Sequence, residues 1–213
     1  METTLTIPLL LHAYSIGVFP MAESRNSTEI HWIEPRQRGI MPLDGFHISR
    51  SLRRAIRRQD VHVTINQDFP SVVQACANRD ETWINDAIFQ AYLRLHRAGH
   101  AHSLEVWAND QLVGGVYGVA IGAAFFGESM FSKQTNASKI ALAYLVDRLN
   151  KTGFVLFDTQ FTTPHLISLG GQEVDKDCYR RLLSDAIKLE ADFCDKRYCA
   201  DPVEISQRNT QTS

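Results

Sequence analysis

Three stretches of this chain carry side chains that chemistry can use. In Gly127-Glu128-Ser129-Met130-Phe131-Ser132 a lone acidic residue follows an apolar, strand-like segment and precedes a helix-like one. A carboxylate directly after a core strand is partly desolvated, which suits it to proton handling or to gripping a cation. A capping or ion-pairing carboxylate is the competing reading. Asp158-Thr159-Gln160 repeats the arrangement at the end of a second apolar segment. Residues two apart in an extended chain point to the same side, so Asp158 and Gln160 are expected to face one site, the carboxylate orienting the amide through a hydrogen bond. A satisfied polar pair at a sheet edge is the alternative. The third stretch is cationic: projected on a helix of 3.6 residues per turn, Arg50, Arg53, Arg54, Arg57 and Arg58 fall within an arc of about 140°, with Leu52 and Ile56 opposite. No acidic residue between Arg50 and Gln59 neutralises it, which makes it a candidate phosphate-binding face as against an ordinary solvated one.

The elements that must position these groups follow from periodicity and punctuation. Helices are expected over 49–58, with Ser49 as N-cap, over 69–77, over 86–98 closed by Gly99, and over 137–150 capped by Asn136. Thr163-Pro164 opens a short helix that Gly170-Gly171 stops, and a last helix runs over 176–193. Strands are expected over 61–66, in a hairpin from 103–107 through Asn109-Asp110 into 112–120, and over 123–126, with the Gly127–Ser132 run as its terminal loop. A further strand over 154–157 delivers Asp158 at its end. This order indicates an α+β domain with a central mixed sheet. Residues 1–60 read as a small, irregular N-terminal domain with the basic helix, 61–194 as the main domain, and 195–213 as a polar tail that frays.

Bulk properties narrow the functional classes. The 213 residues, 44% hydrophobic and 22% charged, suffice for one substantial core with or without a small appended domain. A net charge of −2 means that any nucleic-acid surface must be a local concentration of charge. Cys76, Cys178, Cys194 and Cys199 form no C-x-x-C pair, so free thiols in a reducing, cytosolic compartment are expected. His100 and His102 alternate before a strand, but no third ligand is placed by sequence, and structural hydrogen bonding is preferred to metal. The uncharged run from Gln111 to Gly127 is interrupted by glycines and falls short of the ~20 apolar residues a spanning helix needs. No nucleophile elbow, Walker loop or dinucleotide fingerprint is present.

Eight short motifs in register carry a resemblance: Gly17-Val18-Phe19-Pro20, Trp32-Ile33-Glu34-Pro35-Arg36, Phe46-His47-Ile48-Ser49-Arg50-Ser51, Thr82-Trp83-Ile84, Gly99-His100-Ala101-His102-Ser103, Gly127-Glu128-Ser129-Met130-Phe131-Ser132, Asn136-Ala137-Ser138-Lys139 and Asp158-Thr159-Gln160. Together, over roughly Leu9 to Asp192, they resemble the bacterial leucyl/phenylalanyl-tRNA–protein transferase family. The resemblance implies a small N-terminal domain followed by an acetyltransferase-related (GNAT-like) domain. It also implies transfer of Leu or Phe, and less well Met, from aminoacyl-tRNA to the N-terminal Arg or Lys of an acceptor protein, in N-end-rule degradation, with no metal, cofactor or membrane involved.

Carried over by position, Asp158 and Gln160 match the pair implicated in peptide-bond formation, and Glu128 the acidic residue near the acceptor amine. Trp83 matches the tryptophan near the 3′-adenosine, Phe125 a wall of the amino-acid pocket, and Ser129 a substrate-binding position. The arginine face from Arg50 to Arg58 then becomes the tRNA-binding surface. Departures are visible: the segment before Gly17 is shorter than in many members, Met21 stands where many have Trp, and Val116, Leu145 and Leu149 occupy pocket positions that are Met or Phe elsewhere. Two rival readings remain at this point. An acyl-CoA-dependent acetyltransferase would need a glycine-bearing pyrophosphate loop near Ser132–Lys139, where none stands. A non-enzymatic RNA-binding module would leave the polar strand ends unexplained.

Overall fold

A computed structural model describes residues 5–208. The chain opens with helix α1 (Ile7–Ser15), where the Thr6 hydroxyl accepts the Leu9 N–H and Pro8 sits in the first turn, the place its missing N–H is tolerated. Strands β1 (Phe19–Ala22) and β2 (Ile30–Ile33) then pair antiparallel as a separate two-stranded ribbon. Next come β3 (Gln37–Ile40), α2 (Arg50–Arg58), β4 (His62–Ile65), α3 (Phe69–Ala77), α4 (Asp86–Arg97), β5 (Ala101–Ala108), β6 (Gln111–Ile121) and β7 (Ala124–Ser132). The chain closes with α5 (Ala137–Lys151), β8 (Leu156–Gln160), α6 (Pro164–Ser168), β9 (Gln172–Asp175), α7 (Lys176–Ala186) and α8 (Pro202–Gln207).

Seven strands make one mixed sheet in the order β4-β5-β6-β7-β8-β3-β9, and only β7 and β8 run parallel. The β5–β6 connection is the expected two-residue hairpin: Asn109 and Asp110 both take positive φ, 49° and 59°, as a turn matched to strand twist requires. Alternation along the strands feeds two cores. Tyr117 and Phe126 pack with Tyr14 and Tyr92 on the face that α1, α3 and α4 cover, while Val116 and Phe125 pack with Leu52, Ile56 and Leu145 on the face that α2 and α5 cover.

Several elements differ from the sequence reading. Residues 5–40 carry α1, the β1–β2 ribbon and β3, which periodicity did not reveal because four-residue strands are too short to show a period. Strand β3 lies inside the main sheet between β8 and β9, and α2 packs on α5 and α8, so residues 5–60 are divided between the ribbon and the large body. Strand β7 does not stop at Gly127 but pairs with β6 as far as Ser132. Asn136 precedes α5 in a left-handed conformation, φ 69°, with no side-chain cap; the Ser132 hydroxyl accepts the Ser138 N–H instead, at 3.2 Å. Helix α7 ends at Ala186 rather than 193. The expected fraying tail is anchored as far as residue 208: α8, capped by Asp201, buries Ile205 and Ser206 against α2 and α5. Residues 209–213 lie outside the described residues.

Candidate functional site

The site begins where the parallel pair comes apart. Strands β7 and β8 share three rungs, Ala124 with Leu156, Phe125 with Phe157 and Phe126 with Asp158, and then separate while β7 runs on. At the same level β7 bulges: Gly127 faces Gly118 and Ser129 faces Tyr117, which leaves Glu128 as the extra residue. A Cβ on Gly118 would meet the Phe125 ring at 2.6 Å, so the close approach at this bulge requires glycine. Backbone geometry alone thus turns Glu128 out of the ladder beside the cleft that the diverging strands open.

Glu128 is almost fully buried and is held by three donors. Its Oε1 accepts from the Tyr14 hydroxyl at 2.7 Å and from the Gln160 Nε2 at 2.9 Å, and its Oε2 from the Tyr92 hydroxyl at 2.6 Å. Burial pushes the carboxyl up to about 7, against the pull of those hydrogen bonds from Tyr92, Tyr14 and Gln160. With Nε2 committed, Oε1 is the atom of the Gln160 amide left to accept a hydrogen bond.

Asp158 plays a different part from the one its spacing suggested. It is fully buried, and Arg38 grips it from Nε at 2.9 and 3.1 Å and from Nη2 at 2.6 Å, while the Tyr179 hydroxyl donates to it at 2.6 Å. Arg38 also donates to the Gly17 carbonyl and lies between the rings of Phe19 and Tyr179, 4.7 and 4.5 Å from their centroids. Burial alone would lower the Arg38 guanidinium pKa; the charge and hydrogen bonds of Asp158 outweigh it and hold it above its ordinary value. Asp158 does not orient the Gln160 side chain. It accepts the Gln160 backbone N–H at 2.7 Å, and Glu128 takes the amide. Alternation breaks down here because Gln160 takes φ 62° and the Phe161 N–H closes back on the Thr159 carbonyl at 2.6 Å, a γ-turn that ends the extended geometry.

The cleft has a volume of about 290 Å³. Val116, Met130, Leu142, Phe157 and Leu166 give it apolar walls, Met21 and Trp83 line it from the N-terminal side, and Glu128, Ser129 and Gln160 supply polar atoms. The structure therefore brings together Glu128, Gln160, Trp83, Val116, Ser129 and Met21. Phe125, Leu145 and Leu149 are not on its wall. They are fully buried behind it, Phe125 packed on Phe154, Phe157 and Phe193.

The five arginines of α2 line one surface depression of about 340 Å³, with Leu52 and Ile56 buried beneath as expected. They are less free than the sequence suggested. Arg53 and Arg57 donate from Nε to the Ser206 carbonyl and hydroxyl, docking α8, and Arg58 pairs with Asp60 at 2.7 Å. Arg50 and Arg54 have no partner among the described residues. His102 is buried against Phe193 and near Asn66, and burial drives its imidazole down to about 4. Among the described residues no group of three or more His, Cys, Asp or Glu side chains is placed to hold a metal, and no helix is long and apolar enough to cross a membrane.

Sequence reasoning missed Tyr14, Tyr92, Arg38 and Tyr179. Nothing local distinguishes Arg38 from Arg36, since its role depends on a strand pairing 120 residues away. The tyrosines carried a faint signal, as phenols on otherwise apolar helix faces that must find partners when buried.

Comparison with known proteins bears on all of this. The family model described as leucyl/phenylalanyl-tRNA protein transferase matches residues 40–184, and that of the same family's N-terminal domain matches residues 3–36. A protein of Cereibacter sphaeroides described as leucyl/phenylalanyl-tRNA–protein transferase is 61% identical over 209 residues, 98% of this chain and 98% of that one. A Ruegeria protein with the same description is 60% identical over 210 residues, 99% of this chain and all of its own length. Among solved structures, the crystal structure of FemX aligns with a TM-score of 0.50 at 13% identity, over 84% of this chain and 65% of that one, which shows a shared fold. The expected α+β architecture with a central mixed sheet stands, and the N-terminal stretch matches the family's own N-terminal domain.

Proposed function

The chain belongs to the leucyl/phenylalanyl-tRNA–protein transferase family and is an aminoacyltransferase, and from that premise we propose that it moves Leu or Phe from aminoacyl-tRNA to the N-terminal Arg or Lys of an acceptor protein. The observation that carries the proposal is the Gln160 amide, fixed through Nε2 by Glu128 so that Oε1 is left to accept a hydrogen bond beside an apolar cleft.

The donor ester is already activated, so no covalent enzyme intermediate is required. What remains is alignment, which can supply several kcal/mol of the barrier. The acceptor amine donates one N–H to Gln160 Oε1 and attacks the ester carbonyl. The new C–N bond forms, the bond to the ribose 3′ oxygen breaks, and the proton lost by the amine ends on that oxygen. Beyond Phe126 the β8-facing edge of β7 has lost its ladder partner, and backbone N–H groups along that edge suit a developing oxyanion. Asp158 works through the backbone: with Arg38 and Tyr179 it pins the γ-turn at Gln160. Among the described residues Glu128 has no cation paired with it, because Arg38 is neutralised by Asp158, and this favours a positively charged acceptor end.

Val116, Met130, Leu142, Phe157 and Leu166 suit a Leu or Phe side chain, and an apolar slot separates similar side chains by only about 1–3 kcal/mol per methylene, so Met is a slower donor. Arg50 and Arg54, with the α2 face around them, suit the phosphates of the tRNA. Marking of acceptors for degradation, and a cytosolic location beside charged tRNA, belong to the same reading. The test is transfer of labelled Leu, Phe and Met from their tRNAs to a peptide beginning with Arg and to the same peptide beginning with Ala. Transfer to both at equal rates, or wild-type rates in a folded Gln160→Ala variant, would overturn the assignment.

A further inference from the structure

A second depression, about 990 Å³, adjoins the reactive cleft and shares Arg79 and Met130 with it. It runs along α3, the β5–β6 hairpin and the end of β7, where Trp107, Lys133, Ser132 and Ser138 also line it. At its far end Trp107 pairs with His62 of β4, the strand that follows α2 in the chain after a four-residue step.

Its lining suits one kind of ligand. Trp107 is half-buried and rigid, its Nε1 donating to Thr64 Oγ1 at 2.8 Å and its ring stacked on His62 with 6.2 Å between centroids and 9° between planes. A pinned, part-exposed indole is a platform on which a nucleobase stacks without regard to sequence. Arg79 and Lys133 are exposed cations; Arg79 spends Nη2 on the Met130 carbonyl and the Ser129 hydroxyl, and its other side-chain N–H groups have no partner among the described residues. Of the two carboxylates along the groove, Asp68 is already committed to capping α3 through the Ser71 N–H. Cations beside an aromatic platform, in a groove that opens onto the reactive cleft, are the arrangement that tracks a single-stranded nucleic-acid backbone.

We propose that this groove holds the unpaired 3′ strand of the donor tRNA, with Trp107 stacking on a base and Arg79 and Lys133 on phosphates, between the stem on α2 and the terminal aminoacyl-adenosine in the cleft. The inference rests on the transferase reading and goes beyond it. It is tested by steady-state transfer from two donors, full-length Leu-tRNA and 3′-leucyl-adenosine, the second too short to enter the groove. Lys133→Glu and Trp107→Leu raise KM for Leu-tRNA by about tenfold and leave KM for leucyl-adenosine unchanged; Trp107→Phe restores most of the loss. The Lys133→Glu variant also loses about 0.7 from the salt slope of Leu-tRNA binding. Unchanged Leu-tRNA kinetics in folded variants overturns the proposal. So does an equal effect on both donors, and so does a rise confined to the KM of the acceptor peptide, which would give the groove to the acceptor instead. Absence of transfer from either donor by the wild-type enzyme is a separate result that removes the transferase reading itself.

Discussion

Glu128→Gln tests the burial of the network through stability rather than turnover. The folded state holds this carboxyl at about 7 against an ordinary value of 4.5. Below pH 4.5 it is protonated whether the chain is folded or not, and above pH 7 it is ionised in both states. Between the two the folded chain binds the extra proton, so the stabilisation it supplies is complete at the acid end and is lost as pH rises through 7. At 1.36 kcal/mol for each pH unit, the shift is worth about 3 kcal/mol. The glutamine introduced by the substitution is neutral at every pH, and its amide oxygen still accepts from Gln160 and a tyrosine hydroxyl. Urea unfolding of the wild type and the variant at intervals from about pH 4.5 to about pH 8 should show their difference in stability moving by about 3 kcal/mol in favour of the variant as pH rises. The other titrating groups are common to both proteins and cancel. A difference that stays flat across that range, or moves the opposite way, would falsify the claim that this carboxylate is ionised at a desolvation cost.

Further outcomes are expected elsewhere in the site. Arg38→Met strands the buried Asp158 charge and should cost about 3–5 kcal/mol, whereas Tyr179→Phe removes one hydrogen bond to it and should cost about 1.5–3 kcal/mol; chemical denaturation ranks the two. On α2, Arg50→Ala and Arg54→Ala should leave the melting temperature unchanged and each remove about 0.7–0.9 from the salt slope of tRNA binding. Arg53→Ala and Arg57→Ala should instead lower stability, because they hold α8 through Ser206. Gly39→Ala would drive a Cβ to 2.6 Å from the Phe161 carbonyl carbon, costing about 1–3 kcal/mol by overpacking and slowing transfer by shifting the adjacent γ-turn; melts and single-turnover rates on one preparation check both.

Much of this was legible in the residues, and the limits are instructive. The caps at Ser49 and Thr163, the Asn109-Asp110 hairpin and the buried back of α2 all rest on local rules, and all stand. Trp83, Val116, Ser129, Glu128 and Gln160 share one cleft. What local rules could not supply was the division of labour within it. The spacing of Asp158 and Gln160 implied a direct side-chain contact, but a left-handed residue at Gln160 redirects one of them. Phe125, Leu145 and Leu149 look like pocket residues by position and are core, since one residue of register decides which layer a side chain enters. The tail looked polar enough to fray, yet Ile205 in one short turn of helix is enough to seat it on α2 and α5.

The insertion of β3 between β8 and β9 has a consequence for the order in which the enzyme comes into being. Its earliest-made sheet strand contributes the arginine that the reactive turn depends on, and the carboxylate it must meet is 120 residues further on. At about 5–20 residues per second of synthesis, that guanidinium waits on the order of ten seconds for its counter-charge. Until both flanking strands have arrived, Arg38 has no interior to enter and Gln160 no fixed geometry. A nascent chain released before β9 is therefore expected to lack the fixed Gln160 geometry, because β3 then has a neighbour on one side only.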